Sequence, residues 1–262
     1  MVDPIVEPLV LIGFIARNAE KTIPRFLEQI DNLDYPKDRL RYACVEGGST
    51  DKTREIILDW MKPKKNTFFI QHDMDDDKMS HRERMFCSSN LWRHYVKTRF
   101  KGVEPVDYVF QCDADVTGIP SETLKTLINI DVDIVAPYIY VDQEKHPRNR
   151  WGTTKTFSDI WGYRHLYGPY PGLQFNPWIH EYYKRNLVRD KSIRADTEKR
   201  LLPMQSVGAN PILVKREVYE KVWYTDCKAT PGWCDLARTY GFKVWAYPDI
   251  ECIHDWEVLL DR

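Results

Sequence analysis

Between residues 9 and 139, short apolar runs alternate with segments of helical spacing, and this alternation restricts the fold more than any other feature of the chain. LVLIGFI (9–15) is followed by NAEKTIPRFLEQIDNL (18–33), where Ile23, Phe26, Leu27 and Ile30 recur at helical spacing. YACVE (42–46), TFFIQ (67–71), DYVFQC (107–112) and DIVAPYI (133–139) predict further strands. DKTREIILDWM (51–61) and SETLKTLINI (121–130) predict helices between them. A longer helix is expected from Ser80, where SHRE has the form of a capping box, through RMFCSSNLWRHYVKTRF. Strands and helices in this order predict an α/β fold, a doubly wound, mostly parallel sheet with helices on both faces. In such a sheet the ligand lies outside the carboxyl ends of the strands.

Near residue 140 the pattern changes. The stretch from Asp142 to Tyr183 is rich in aromatics, Gly and Pro and poor in periodic apolar structure. It is too long for an ordinary connector, and long structured loops are usually functional. Beyond it come SVGANPILV (206–214), helical KREVYEKV (215–222) and CDLARTYG (234–241), the strand FKVWAYP (242–248), and IECIHDW (250–256). The expected organisation is one domain in two halves, 1–140 binding a nucleotide and 141–262 facing an acceptor.

Composition narrows the partners. A net charge of -1 excludes a general electrostatic pull toward nucleic acid or an anionic membrane, so phosphate binding has to come from local groups. The opening MVDPIVEPLVLIGF has no basic region, and no run approaches the ~20 apolar residues of a membrane helix. The six cysteines include no CxxC pair, and Cys44, Cys112 and Cys252 sit in or beside apolar runs. They read as small buried hydrophobes of a reducing compartment, so the expectation is a cytoplasmic protein without a transmembrane segment, at most peripheral to a membrane through its acceptor or a partner.

Two strand ends carry polar groups suited to a ligand. VFQCDADVTG (109–118) ends an apolar run in Asp113 and Asp115, two apart and hence on one side of an extended chain. Neighbouring carboxylates both stay ionised where a cation lies beside them, and hard oxygen ligands select Mg²⁺ or Mn²⁺. A strand-ending turn capped by Asp accounts for the same residues without a metal. In VEGGSTDKTREI (45–56), Gly47 and Gly48 permit a sharp turn, while Glu46, Ser49 and Asp51 offer oxygens to a base or ribose. A plain helix N-cap explains Ser49 or Asp51 but not the acid before the glycines.

ARNAEKTI, EGGSTDKT and DYVFQCDADV in this order resemble the nucleotide-sugar glycosyltransferases of the GT-A fold, including family-2-like enzymes. The resemblance implies a mostly parallel sheet with an aromatic-rich acceptor-side insertion. It implies a nucleoside-diphosphate sugar (GDP- or UDP-) held by Ala16, Asn18, Glu46, Ser49, Asp51, Asp113 and Ala114, and a Mn²⁺ or Mg²⁺ ion at Asp113 and Asp115. RERMFCSSNLWRHYV (82–96) is similar to the family helix whose Arg and Asn face the donor, here Arg84 and Asn90. CIHDW (252–256) is similar to the C-terminal segment whose His adds a metal ligand, here His254, although a histidine there also suits a structural role. SVGANPILVKREVYEKV resembles the acceptor-side segment, with Gly208 toward the sugar and Trp233 further along the same side. Within the fold, the motif order most resembles the retaining mannosyltransferases of the fungal mannan-polymerase type, which carry a membrane anchor absent here.

The expected activity is metal-dependent transfer of a hexose, such as mannose or glucose, to a glycan or glycolipid. Inverting relatives carry an acidic pair where this chain has Gly232 and Trp233, leaving Asp235 as general base or as a contact for an acceptor hydroxyl. That departure leans toward retention. Trp151, Trp161 and Trp178 lie in an aromatic stretch that suits stacking on sugar rings, and equally a secondary core or an oligomer interface. Two other functions fit less well. A nucleotidyltransferase needs a Gly-rich basic loop after the first strand, where GFIARNAEKT has one Gly. A catalytically silent carbohydrate- or nucleotide-sugar-binding protein accounts for the missing acidic pair.

Overall fold

The computed structural model describes residues 6–72, 106–142, 155–157, 163–165, 200–208, 211–222 and 229–254. Its strands are β1 (Val10–Ala16), β2 (Leu40–Glu46), β3 (Thr67–Gln71), β4 (Tyr108–Asp113), β5 (Val116–Gly118), β6 (Ile134–Asp142), β7 (Lys155–Phe157), β8 (Arg164–His165), β9 (Leu202–Ser206), β10 (Ile212–Lys215) and β11 (Val244–His254). The helices are α1 (Ile23–Asp31), α2 (Thr53–Met61), α3 (Thr123–Ile130), α4 (Arg216–Lys221) and α5 (Ala229–Thr239).

All these strands join one sheet in the order β3-β2-β1-β4-β10-β6-β11-β9-β8, with β5 on β11 and β7 on β6. The strands β3, β2, β1 and β4 run parallel, as do β6 and β11, and β10 enters antiparallel between β4 and β6. Beyond β11 the strand β9 also runs antiparallel, and between β3 and β11 the parallel order is interrupted by one reversed strand, β10, from the second half of the chain. That strand joins the two halves in a single sheet.

Side-chain alternation divides the core between the two faces. Val10, Ile12, Phe14, Phe110 and Cys112 pack on one side with Phe26, Ile30 and Leu124. Leu11, Val45, Val109 and Tyr138 pack on the other with Tyr219 and Trp233. On the first face Phe14 meets Phe26 edge-on, with ring centroids 5.2 Å apart. Such a contact adds about 1 kcal/mol to simple burial.

The structure moves several expected boundaries. α1 buries the expected Ile23, Phe26, Leu27 and Ile30 but begins at Ile23 rather than residue 18, with Pro24 in its first turn. Residues before it are held as a loop in which Asn18 has φ 45°. SVGANPILV spans the end of β9 and the start of β10. FKVWAYP and IECIH form one eleven-residue strand, β11, whose pairing with β6 shifts between Tyr247 and Glu251. Pro248 lies within that shift, where its missing N–H costs no ladder bond.

Candidate active site at the carboxyl edge of the sheet

β1, β2 and β4 end together. Glu46 pairs with Ala16 across the β1–β2 ladder, and Asp113 pairs with Ile15 across β1–β4. The expected nucleoside-side and diphosphate-side residues therefore meet at one edge of the sheet.

Two loops beyond that edge are clasped to each other. The Asn18 N–H donates to Ser49 Oγ at 3.0 Å, and the Thr50 N–H donates back to Asn18 Oδ1 at 2.9 Å. Ala19 N–H donates to Thr53 Oγ1 at 2.7 Å. Glu20 N–H donates to Asp51 Oδ2 at 3.0 Å, while Lys52 N–H donates to Glu20 Oε2 at 3.2 Å. The Thr53 N–H donates to Asp51 Oδ1 at 3.0 Å, so Asp51 serves both loops. Burial works to raise the Asp51 pKa, but the hydrogen bonds from Thr53 and Glu20 outweigh it and hold the carboxyl below its ordinary value.

Glu46 differs from its expected role. Its side chain is fully buried. Oε1 accepts the Ser49 N–H at 2.5 Å, and Oε2 faces Arg54 Nε at 2.9 Å. A carboxylate enclosed and engaged in this way closes the β2–α2 turn and does not present itself to a nucleoside. Gly48, at φ 77°, supplies the left-handed residue that lets the turn fold back over it.

The metal-side residues come from distant parts of the chain. Asp113 ends β4, Ala114 is buried, and Asp115 leads into β5. β5 pairs antiparallel with the end of β11, His254 opposite Val116 and Ile253 opposite Gly118. This brings His254 Nε2 to 3.3 Å from Asp115 Oδ1, with both side chains mostly buried. Gly118 permits the approach, since a Cβ there would lie 2.7 Å from Ile253 Cβ.

Among the described residues no three His, Cys, Asp or Glu side chains gather into a metal-binding cluster. Asp113, at the end of β4 and two residues before Asp115, stays a candidate ligand beside the Asp115–His254 pair. The Asp115 carboxylate is a hard oxygen ligand that suits Mn²⁺ or Mg²⁺, and the imidazole nitrogen beside it favours the transition metal Mn²⁺ over Mg²⁺. Such ions take one or two protein ligands and complete their shell with phosphate oxygens and water.

On the acceptor side the outcomes diverge. Trp233 is 2% exposed, its ring packed on Tyr219 with centroids 5.4 Å apart. It is a core residue and offers no face to a sugar, because α5 turns it inward against the second hydrophobic cluster. Gly208 is buried just after β9, which runs antiparallel to β11 with Met204 opposite Val244. It therefore leaves the sheet from the end away from His254. Asp235 lies on α5, partly exposed, with Oδ1 accepting from Gln205 Nε2 at 3.4 Å and facing Arg238 at 3.6 Å. Arg84, Asn90, Trp151, Trp161 and Trp178, with the helix expected from Ser80, lie outside the described residues.

Among the described residues Cys44, Cys112, Cys234 and Cys252 are buried and in no disulfide, and burial pushes the thiol pKa of Cys44, Cys112 and Cys252 upward. Among the described residues no helix is long and apolar enough to cross a membrane.

A sheet of this order, with polar groups collected at its carboxyl edge, is the architecture of GT-A glycosyltransferases. It superimposes on the mannosyltransferase PcManGT from Pyrobaculum calidifontis, solved with GDP-Man and Mn²⁺, at a TM-score of 0.56 and 16% identity, covering 96% of this chain and 58% of that one. GalNAc-T7, solved with UDP, GalNAc and Mn²⁺, matches at a TM-score of 0.56 and 10% identity, covering 95% of this chain and 44% of that one. At such identities the likeness is one of fold. The model of the glycosyltransferase family 25 N-terminal domain matches residues 7–157, and the chain belongs to that family.

Relatives include a glycosyltransferase 25 family member of Anopheles gambiae, 31% identical over 148 residues, 52% of this chain and 24% of that protein. Procollagen galactosyltransferase 1-B of Xenopus laevis is 30% identical over 150 residues, again 52% and 24%. The inactive glycosyltransferase 25 family member 3 of Mus musculus is 25% identical over 156 residues, 55% of this chain and 26% of that protein. The chain thus spans about a quarter of the length of the curated relatives it matches. The family match takes in the clasped loops and the DADV segment and ends before Asp235 and His254. It identifies family 25, and the narrower likeness to fungal mannan-polymerase enzymes rests on motif order alone.

Two features of the edge have no sequence signature. Arg54 lies on α2 with nothing to mark it as the partner of Glu46, and Gly118 follows DADV as an ordinary turn glycine.

Proposed function

We propose that this chain forms the donor- and metal-binding part of a hexosyltransferase that moves a sugar from a nucleoside diphosphate to a glycan or glycolipid. The observation that carries the proposal is the Asp115–His254 pair at the carboxyl edge, beside Asp113 and the clasped loops. Asp115 and His254 would hold a Mn²⁺ or Mg²⁺ ion. Bound there, the ion would set positive charge against the departing diphosphate, the charge stabilisation on which such transfers depend. Asn18, Ser49 and Asp51 shape the nucleoside side through their mutual hydrogen bonds. Asp113 and Ala114 border the diphosphate, with Arg84 and Asn90 approaching it from the segment that precedes β4. Asp235 contacts an acceptor hydroxyl, with Trp151, Trp161 and Trp178 as the stacking platform. Gly232 and Trp233 stand in place of the acidic pair of inverting enzymes, which leans the proposal toward retention of anomeric configuration.

The sugar is a hexose. The motif order suggests mannose or glucose, and the printed names of the relatives suggest galactose. A second reading, a donor-binding protein without turnover, draws on the missing acidic pair and on the relative named as inactive.

The test is calorimetric titration of the folded chain with UDP-galactose, UDP-glucose and GDP-mannose, with and without Mn²⁺, on native protein and on Asp115→Ala. The expected result is metal-dependent binding of one nucleotide class, lost in the variant. Transfer of label to a glycan acceptor then separates an enzyme from a silent binder. Absence of metal-dependent binding by the native chain would refute the donor site.

A further inference from the structure

A buried acid at the edge that receives a diphosphate needs an explanation. Glu46 is fully enclosed at the end of β2, flanked by Ala16 on β1 and Gln71 on β3. An unpaired carboxylate at such a position would oppose the approach of a polyanion, and taking away the partner of a buried charge is strongly unfavourable. Arg54 answers the charge. It reaches back from α2 and places Nε 2.9 Å from Glu46 Oε2, while its own side chain stays 36% exposed. Because Glu46 Oε1 accepts the Ser49 N–H, and Ser49 Oγ accepts the Asn18 N–H, the ion pair also anchors the clasp between the two loops. The path runs from Arg54 through Glu46 and Ser49 to Asn18, crossing from α2 to the loop after β1.

We propose that Arg54 is a positioning residue for the donor: paired with Glu46, it holds the two strand-end loops together and keeps a buried carboxylate from confronting the diphosphate. The proposal rests on the nucleotide-sugar reading above and assigns Glu46 to the frame of the site rather than to its ligands. Lysine is a poor replacement, since a single ammonium cannot reproduce the directed N–H of the guanidinium.

The experiment begins with Mn²⁺-dependent binding of nucleoside diphosphates to the native chain; failure at this stage overturns the donor reading itself and, with it, the role given to Arg54. Affinities for UDP and GDP, and for uridine and guanosine, are then measured for Arg54→Ala, Arg54→Lys and the double variant Arg54→Ala/Glu46→Gln. For Arg54→Ala the expected loss of diphosphate affinity is at least tenfold. The loss for the uncharged nucleoside is smaller, and kcat at saturating donor stays within threefold, so the defect falls on KM. The double variant removes the charge together with its partner and recovers diphosphate affinity to within threefold of native. A simple packing defect would not discriminate between nucleoside and diphosphate. If Arg54→Ala fails to fold, the double variant and Arg54→Lys carry the test, and a folded, native-like double variant supports the proposal. Native affinity in Arg54→Ala overturns it. So does a folded double variant that binds tenfold more weakly than the native chain, because Glu46 would then be a ligand.

Discussion

Gly118→Ala tests how the proposed metal pair, Asp115 and His254, is built. The added Cβ would lie 2.7 Å from Ile253 Cβ, 3.0 Å from Cγ1 and 3.2 Å from Cδ1. The Cγ1 and Cδ1 contacts could be relieved by a rotamer change, but Cβ is fixed to the backbone of β11, so the strands themselves must separate. Overpacking of this kind costs about 1–3 kcal/mol. For a chain of this size that is a fall in Tm of roughly 2–12 °C. Separation of β5 from β11 acts one pair away from the His254–Val116 register and widens the Asp115–His254 approach of 3.3 Å. Mn²⁺-dependent nucleotide affinity therefore falls together with stability. Gly241→Ala is the control, since its Cβ meets nothing within 4 Å and its φ of +90° imposes backbone strain alone. That strain costs roughly 1–2 kcal/mol and leaves metal-dependent binding at the native value. Thermal unfolding and calorimetric titration of the two variants decide the matter. A Gly118→Ala protein with native Tm and native Mn²⁺-dependent affinity would refute the reasoning.

Two further outcomes follow from the same geometry. Asp51→Asn breaks the two-loop clasp, because an amide cannot accept both the Thr53 and the Glu20 N–H through its two end atoms. The folded pKa of Asp51 lies below its ordinary 3.8, so the native chain's stability advantage over the variant is full at neutral pH. It is lost as pH falls below 3.8 through the lower folded value, and urea unfolding at pH 7 and near pH 3 measures the difference. Trp233→Ala empties a core position packed against Tyr219 and costs about 3–5 kcal/mol in denaturant unfolding. A change confined to acceptor KM, with native stability, would return Trp233 to the acceptor groove.

The edge residues differ in how far their roles were legible. Asp113 and Asp115 stand out in sequence because an apolar run closes on two acids one residue apart, although β4 ends at Asp113 and Asp115 lies in the turn to β5 rather than on a continued strand. Asn18, Ser49 and Asp51 are legible as polar residues in strand–helix junctions, yet the sequence does not show that they bond to one another, since each junction is satisfied by a plain helix cap. Glu46 is ambiguous in sequence for a related reason. Its place at a strand end suggests an exposed ligand, and only the return of Arg54 from the following helix turns it inward. Trp233 is ambiguous in the same way, because a tryptophan in a helix looks the same in sequence whether its face meets Tyr219 or solvent.

By itself, the sequence determined the main alternation of strands and helices through β1, β2, β3, β4 and β6, the edge of the sheet at which a ligand is expected, and the presence of two acids there. Each of these follows from local periodicity and turn chemistry, which act over a few neighbouring residues. Tertiary structure alone decided that β10 runs backwards between β4 and β6, that His254 meets Asp115, and that Glu46 answers to Arg54. Those outcomes depend on strand register and on which faces of the sheet bury together, quantities set by packing between segments far apart in the chain.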